Sequence, residues 1–140
     1  MSKQIYINII AKDLSKSTAF YEAIGCLKDP RFSDQNASSL AWSENIIFML
    51  LTEDFALNFS DGKKITDQKN SVSALYCLSC DSKEGVDKFC ENATKAGGRV
   101  YENKFNKENA GDFMYGFEVE DLDGYILEPM FMDLSKIPQS

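Results

Sequence analysis

The chain has 140 residues, 44% of them hydrophobic and 26% charged, with three prolines, four cysteines, one tryptophan and no histidine. That length lies near the commonest domain size and buries roughly two thirds of its unfolded surface, so a core forms without disulfide staples and the composition carries no mark of disorder. A formal charge of −7, a pI near 4.6 and no Lys/Arg cluster denser than Lys63-Lys64 argue against phosphate backbones and anionic membranes as partners.

Met1-Ser2-Lys3-Gln4 leads into an apolar run ending at Ala11-Lys12-Asp13, too short for a membrane span and wrongly flanked for a signal peptide. The expected location is cytoplasmic. Cys26, Cys77, Cys80 and Cys90 are accordingly read as reduced thiols.

The first strand, Ile5 to Ile10, alternates with period two, placing Ile5, Ile7 and Ile9 on one face and Tyr6, Asn8 and Ile10 on the other. Asp13 caps a helix running through Phe20, Tyr21 and Ile24 and stopping at Gly25. Strand-like runs follow at about Cys26–Phe32, Ser39–Trp42 and Ile46–Leu51. Residues 53–70 read as a linker holding one amphipathic turn with Phe55 and Phe59 at i,i+4 spacing.

The order then repeats. A strand at Val72–Leu78 precedes a helix capped by Asp81, which lies 68 residues after Asp13 and runs through Val86, Phe89 and Ala93 to Gly97-Gly98. Three more strands are predicted at Arg99–Tyr101, Phe113–Val119 and Tyr125–Met132, the last two joined by an Asp-Gly turn at Asp123-Gly124. Residues 102–111 are expected to form a flap. The chain is thus expected to be a single α+β domain over 1–140, built from two βαβββ modules at about 3–52 and 71–133.

This duplicated unit resembles the vicinal oxygen chelate superfamily, which includes glyoxalase I, extradiol dioxygenases and bleomycin-resistance proteins. The resemblance covers about residues 3–133. It rests on the opening Ile-x-Ile-x-Ala-Lys-Asp-Leu-x-x-Ser-x-x-Phe-Tyr-x-x-x-Gly at 7–25, on Phe113-Met114-Tyr115-Gly116, and on Asp121-x-Asp-Gly-x-x-x-Glu at 121–128. It implies a cup-shaped mixed sheet in each module, a homodimer, and in many members a divalent metal held by His or Glu from the first and last strands. Those four positions fall here at Tyr6, Met49, Ala74 and Glu128, so one carboxylate stands where a chelating set is required. The expectation is a protein without a metal or other cofactor, with a relocated Mg site at Glu118 or Glu120 as an open alternative.

Cys77-x-x-Cys80 ends a strand, where side chains three apart point to opposite faces, so it reads as two small core-lining residues. Asp121-x-Asp123-Gly124 reads as a hairpin turn, because Val119 and Met130 would occupy the first and last ligand positions of a calcium loop. Asn8 has two open readings, a structural partner or a ligand. So does Glu128, which either accepts a hydrogen bond from a tyrosine such as Tyr6 or serves as ligand anchor or general base. Phe113, Tyr115 and Phe117 share one face of their strand and, with Trp42, read either as core or as the lining of an aromatic cavity.

The candidate ligand-binding residues are therefore Tyr6, Asn8, Trp42, Tyr76, Phe113, Tyr115 and Glu128, with Glu128 the candidate catalytic group. The expected function is metal-free binding of a neutral or cationic small molecule in an aromatic cup with one buried carboxylate. The alternatives are a lyase or isomerase using Glu128 as general base or a relocated metal, and a dimeric interaction module with a filled cup.

Overall fold

The computed structural model describes residues 2–105 and 111–137. The chain divides into two compact units, Met1–Ser71 and Val72–Ser140. Each unit is an α+β layer pair, a mixed sheet with a helix on one face, as the repeat predicts.

In the first unit, β1 (Ile5–Ile10) is followed by α1 (Leu14–Ala23), β2 (Leu27–Asp29), β3 (Ala37–Ala41) and β4 (Ile46–Leu51). The sheet order is β1-β4-β3-β2, with β1 parallel to β4 and the other pairs antiparallel. Asp13 caps α1 from an extended conformation, accepting from the Lys16 amide at 3.1 Å. The predicted strand at 26–32 is cut short at Asp29 because Pro30 has no N–H to continue the ladder, and a 3₁₀ turn, Pro30–Phe32, takes its place. Tyr21 packs on Phe48 at 5.3 Å between ring centroids, which fixes the helix-facing side of the sheet. By register that side carries Ile5, Ile7, Ile9, Leu40 and Leu50, and the other side carries Tyr6, Asn8, Ile10, Ser39, Met49 and Leu51. The alternation read from β1 therefore holds. Segment 53–70 opens with α2 (Glu53–Ala56), capped by Thr52, and a 3₁₀ turn, Leu57–Phe59.

In the second unit, β5 (Leu75–Ser79) leads to α3 (Lys83–Lys95), β6 (Arg99–Tyr101), β7 (Met114–Gly116), β8 (Glu118–Glu120) and β9 (Ile126–Met132). The order is β5-β9-β8-β6, with β7 also on β9 and β5 parallel to β9. β5 starts at Leu75, three residues later than predicted. The cap of α3 is Ser82, whose hydroxyl accepts from the Gly85 amide at 3.0 Å; Asp81 does not take that role. The true repeat offset, cap to cap, is thus one residue longer than the sequence reading.

β7 and β8 continue one register along β9 and are interrupted only at Phe117. It faces Pro129, which cannot return a ladder hydrogen bond. The hairpin between β8 and β9 closes at Asp121 and Tyr125, with Gly124 at φ 98°, a conformation that glycine alone adopts without strain. The Asp121 carboxylate accepts from the amides of Asp123 and Tyr125 at 2.9 Å each, so it is a turn-closing group. Val86, Phe89 and Ala93 of α3 are buried over Leu78, Val119 and Leu127, each large apolar side chain contributing about 1.5–3 kcal/mol. The central part of the predicted flap, residues 106–110, lies outside the described residues.

Candidate functional site

The Asp-Gly hairpin sets the chemistry of the second sheet. Gly116 pairs with Met130 and Val119 with Leu127, which puts Glu118 directly opposite Glu128. Amide bonds flank this pair, at Phe117 to Pro129 on one side and in the Val119 ladder on the other, so 118/128 is a non-hydrogen-bonded position. Cα atoms and side chains come closest at such positions. β5 and β6 extend the row, since Cys77 pairs with Glu128 and Tyr101 with Glu118. Tyr101, Glu118, Glu128 and Cys77 therefore form a line across four strands, on the face turned away from α3.

Glu118 is the buried carboxyl, only 4% exposed, while Glu128 is half-buried and Cys77 exposed. Burial pushes Glu118 up to about 7, a hydrogen bond and like charge from Glu128 push the same way, and the Asn103 amide, donating to Oε1 at 2.6 Å, opposes them. At neutral pH Glu118 therefore lies close to its midpoint, and in its protonated form it donates to Glu128. The Cys77 thiol and Tyr101 hydroxyl are both held in their neutral forms by burial and by the carboxyls beside them. In the next row, Arg99 makes a two-pronged pair with Glu120 at 2.9 and 3.1 Å and lies over the Tyr101 ring.

The candidate residues read from the sequence separate into two faces. Glu128 lies in the carboxyl row. Tyr76 pairs with Leu127 and points with Leu78 to the helix side, opposite Glu128. Phe113, Tyr115 and Phe117 share the parity of Val119 and also face the helix layer. There the Tyr115 hydroxyl donates to Asp87 of α3 and Lys83 lies over its ring. The aromatic stripe is helix packing in this unit and does not surround the carboxyls. Trp42 shares the parity of Leu40 and Phe48 and sits where a side chain on Gly25 would touch it, again on the helix side.

Tyr6 and Asn8 lie on the non-helical face of the first sheet. Tyr6 is 54% exposed, and its hydroxyl donates to Gln4 at 2.8 Å. The sequence offered Glu118 only as one possible relocated Mg ligand, and Asn103, Tyr101 and Cys77 not as members of a site. Counting outward from the 121/125 closing pair would have put 118 opposite 128.

Equivalent ladder positions in the first unit are Asp29, Ser39, Met49 and Asn8, so the carboxyl pair has no copy there. Counting back from the observed cap moves the first-strand metal-ligand position of the second unit from Ala74 to Leu75, which leaves Tyr6, Met49, Leu75 and Glu128. Of these four only Glu128 is one of the His, Cys or carboxylate donors from which zinc, nickel and non-haem iron sites are built. Among the described residues no group of three or more Cys, Asp or Glu is placed to hold a metal ion. The described residues do not fit a chelated transition metal.

Paired βαβββ units define a fold class, and known structures share it. A hypothetical protein from S. aureus superposes with a TM-score of 0.73 at 22% identity, covering 94% of each chain. A glyoxalase/bleomycin resistance protein/dioxygenase family enzyme from Burkholderia phytofirmans gives 0.72 at 16% identity, over 94% of this chain and all of the other. The fosfomycin resistance protein FosX from Listeria monocytogenes gives 0.65 at 16% identity, over all of this chain and 96% of that one. The chain thus has the glyoxalase/bleomycin-resistance fold, the fold of the vicinal oxygen chelate superfamily. No protein-family model and no curated protein matches the sequence. No helix among the described residues is long and apolar enough to cross a membrane.

Proposed function

We propose that the protein binds a small neutral or cationic molecule without a transition metal, and that Glu118 and Glu128 anchor it. The observation that carries this reading is the facing carboxyl pair on the non-helical sheet face. Glu118 is nearly fully buried, and Cys77 and Tyr101 flank the pair in neutral form. Two facing carboxyls carry net negative charge and offer acceptor oxygens beyond the one taken by Asn103, which suits an ammonium or guanidinium group or a neutral donor. The overall charge of −7 favours cations over anions in the same sense.

The experiment is a thermal-shift screen of cationic and neutral metabolites and antibiotics, followed by calorimetry of each hit. Glu128→Gln and Glu118→Gln should each weaken a bound cation about tenfold to a hundredfold, the worth of a charge-assisted hydrogen bond. Hits whose affinity neither substitution changes would end this reading. Elemental analysis of untagged protein covers the metal, and one stoichiometric Zn, Ni, Fe or Co lost in Glu128→Gln would overturn the metal-free assignment.

The near-neutral Glu118 favours a second reading, proton transfer in a lyase or isomerase, with Glu118 in place of Glu128 as acid and base. Deuterium exchange at the α-carbon of candidate carbonyl compounds, abolished by Glu118→Gln, would support it. The partner we propose for the assembled protein is a second copy of the chain, because Leu27 and Phe32 are largely exposed. Light scattering at the 15.8 kDa of a single chain would exclude that.

A further inference from the structure

We infer that the molecule held at the carboxyl pair is an amphiphilic organic cation, its charged head at Glu118 and Glu128 and its apolar body along a methionine track on the same sheet face. The inference rests on the reading of Glu118 and Glu128 as an anchor and adds the other half of the ligand. Three rows of the ladder between β9 and β7–β8 carry it. Glu118 faces Glu128, Gly116 pairs with Met130, and Met114 pairs with Met132. The amide bonds fall on the alternate rows, Phe117 with Pro129 and Phe113 with Asp133. All three rows are therefore non-hydrogen-bonded positions, where facing side chains come closest. Residues two apart on a strand share a face, so the three methionines stand on the face of the carboxyls, turned away from α3.

The track has a floor and a far end. Met130 is 4% exposed and lies across Gly116, whose missing side chain leaves room for it: a Cβ there would stand 2.6 Å from its Cε and 2.7 Å from its Sδ. Met114 is half-buried and Met132 is 44% exposed, so their thioethers remain open to a ligand resting on that floor. Glu128 and Met132 are four residues apart on one strand, about 14 Å, which sets the length of body the track covers. Unbranched, polarizable methionine side chains adapt to straight, branched or aromatic bodies alike, so the class is defined by charge and apolarity and not by one shape. The opposite direction is closed. In the row beyond the carboxyls, Arg99 pairs with Glu120 and its guanidinium lies 4.4 Å from the Tyr101 ring centroid. An apolar body placed there would strip water from a fixed ion pair and return no hydrogen bond.

The test titrates ethylamine, hexylamine and 1-hexanol into full-length protein carrying labelled methionine methyl groups, with affinity read by calorimetry and contact by NMR. Hexylamine should bind at least tenfold more tightly than ethylamine, because its added methylenes leave water on the track, and at least tenfold more tightly than 1-hexanol, which lacks the charge. It should give saturable shifts at the Met114, Met130 and Met132 methyl groups. Met114→Gln and Met132→Gln, changes at open positions, should each reduce the hexylamine-to-ethylamine affinity ratio about threefold or more. Glu128→Gln should weaken both amines. If neither amine binds, or if Glu128→Gln weakens neither, the anchor itself fails and the inference falls with it. If ethylamine binds through Glu128 but hexylamine is no tighter, or if the ratio survives both methionine substitutions, the anchor stands and the methionine track is overturned. Equal binding of 1-hexanol and hexylamine overturns the requirement for a cation.

Discussion

Glu118 and Glu128 face each other across adjacent antiparallel strands at a non-hydrogen-bonded position, with one of the two almost wholly removed from solvent. Side chains at such a position are as close as a sheet allows, and two ionised carboxylates there repel. Protonation of Glu118, the more buried of the pair, relieves that repulsion.

Protein stability should therefore carry a signature of Glu118. Its folded pKa of about 7 lies above its ordinary value of 4.5, so between these values the native state holds a proton that the unfolded chain has released. Stability falls as pH rises through that window and is flat above it, with a total penalty on the order of 3 kcal/mol. Urea denaturation of wild type and Glu118→Gln from pH 4 to 8.5 should show a difference that grows in favour of the variant up to about pH 7. A pH-independent difference would contradict the assignment.

Glu128→Gln should lower the Glu118 titration midpoint only in part. Burial is the largest cause of the shift and survives the substitution, while the hydrogen bond and like charge from Glu128 do not. Carboxyl NMR of the labelled variant should give a midpoint between 4.5 and 7. A return to the ordinary value would mean that burial is not the leading cause.

Asn103→Leu should move the midpoint the other way. The Asn103 amide donates to Glu118 at 2.6 Å and stabilises its ionised form, so its loss raises the midpoint above about 7. An unchanged midpoint in the same titration would show that this bond does not form in solution.

Tyr115→Phe should destabilise the protein by about 0.5–1.5 kcal/mol, because the hydroxyl is bonded to Asp87 on α3 and the ring packs on the helix side. Ligand affinity at the carboxyl pair should not change. A variant of full stability with weakened binding would put the aromatic stripe back beside the ligand.

Gly116→Ala should cost about 1–3 kcal/mol in urea denaturation. A Cβ there would lie 2.6 Å from the Pro129 carbonyl oxygen and 2.6–2.7 Å from the end of the Met130 side chain. Met130→Ala in the same chain should not restore stability, since the backbone oxygen stays. Full rescue would show that Met130 alone makes the contact.

The sequence by itself determined the repeated unit, the alternation of β1, the cap at Asp13 and the hairpin at Asp123-Gly124, because each depends on residues within a few positions of one another. It also showed that Tyr6 and Met49 stand where the His or Glu of a chelating set would be. Only the tertiary structure decided which face each strand turns to its helix, since parity along a strand separates two faces without saying which is covered. That choice placed Tyr76, Trp42, Phe113 and Tyr115 on the helix side. A one-residue difference in the cap, Ser82 in place of Asp81, moved the metal-ligand position from Ala74 to Leu75, and the register of β5 on β9 set Cys77 opposite Glu128. The character of Glu118 likewise came from the fold. Its neighbours in sequence, Phe117 and Val119, say nothing of Asn103 and Glu128, which reach it only through strand pairing and burial.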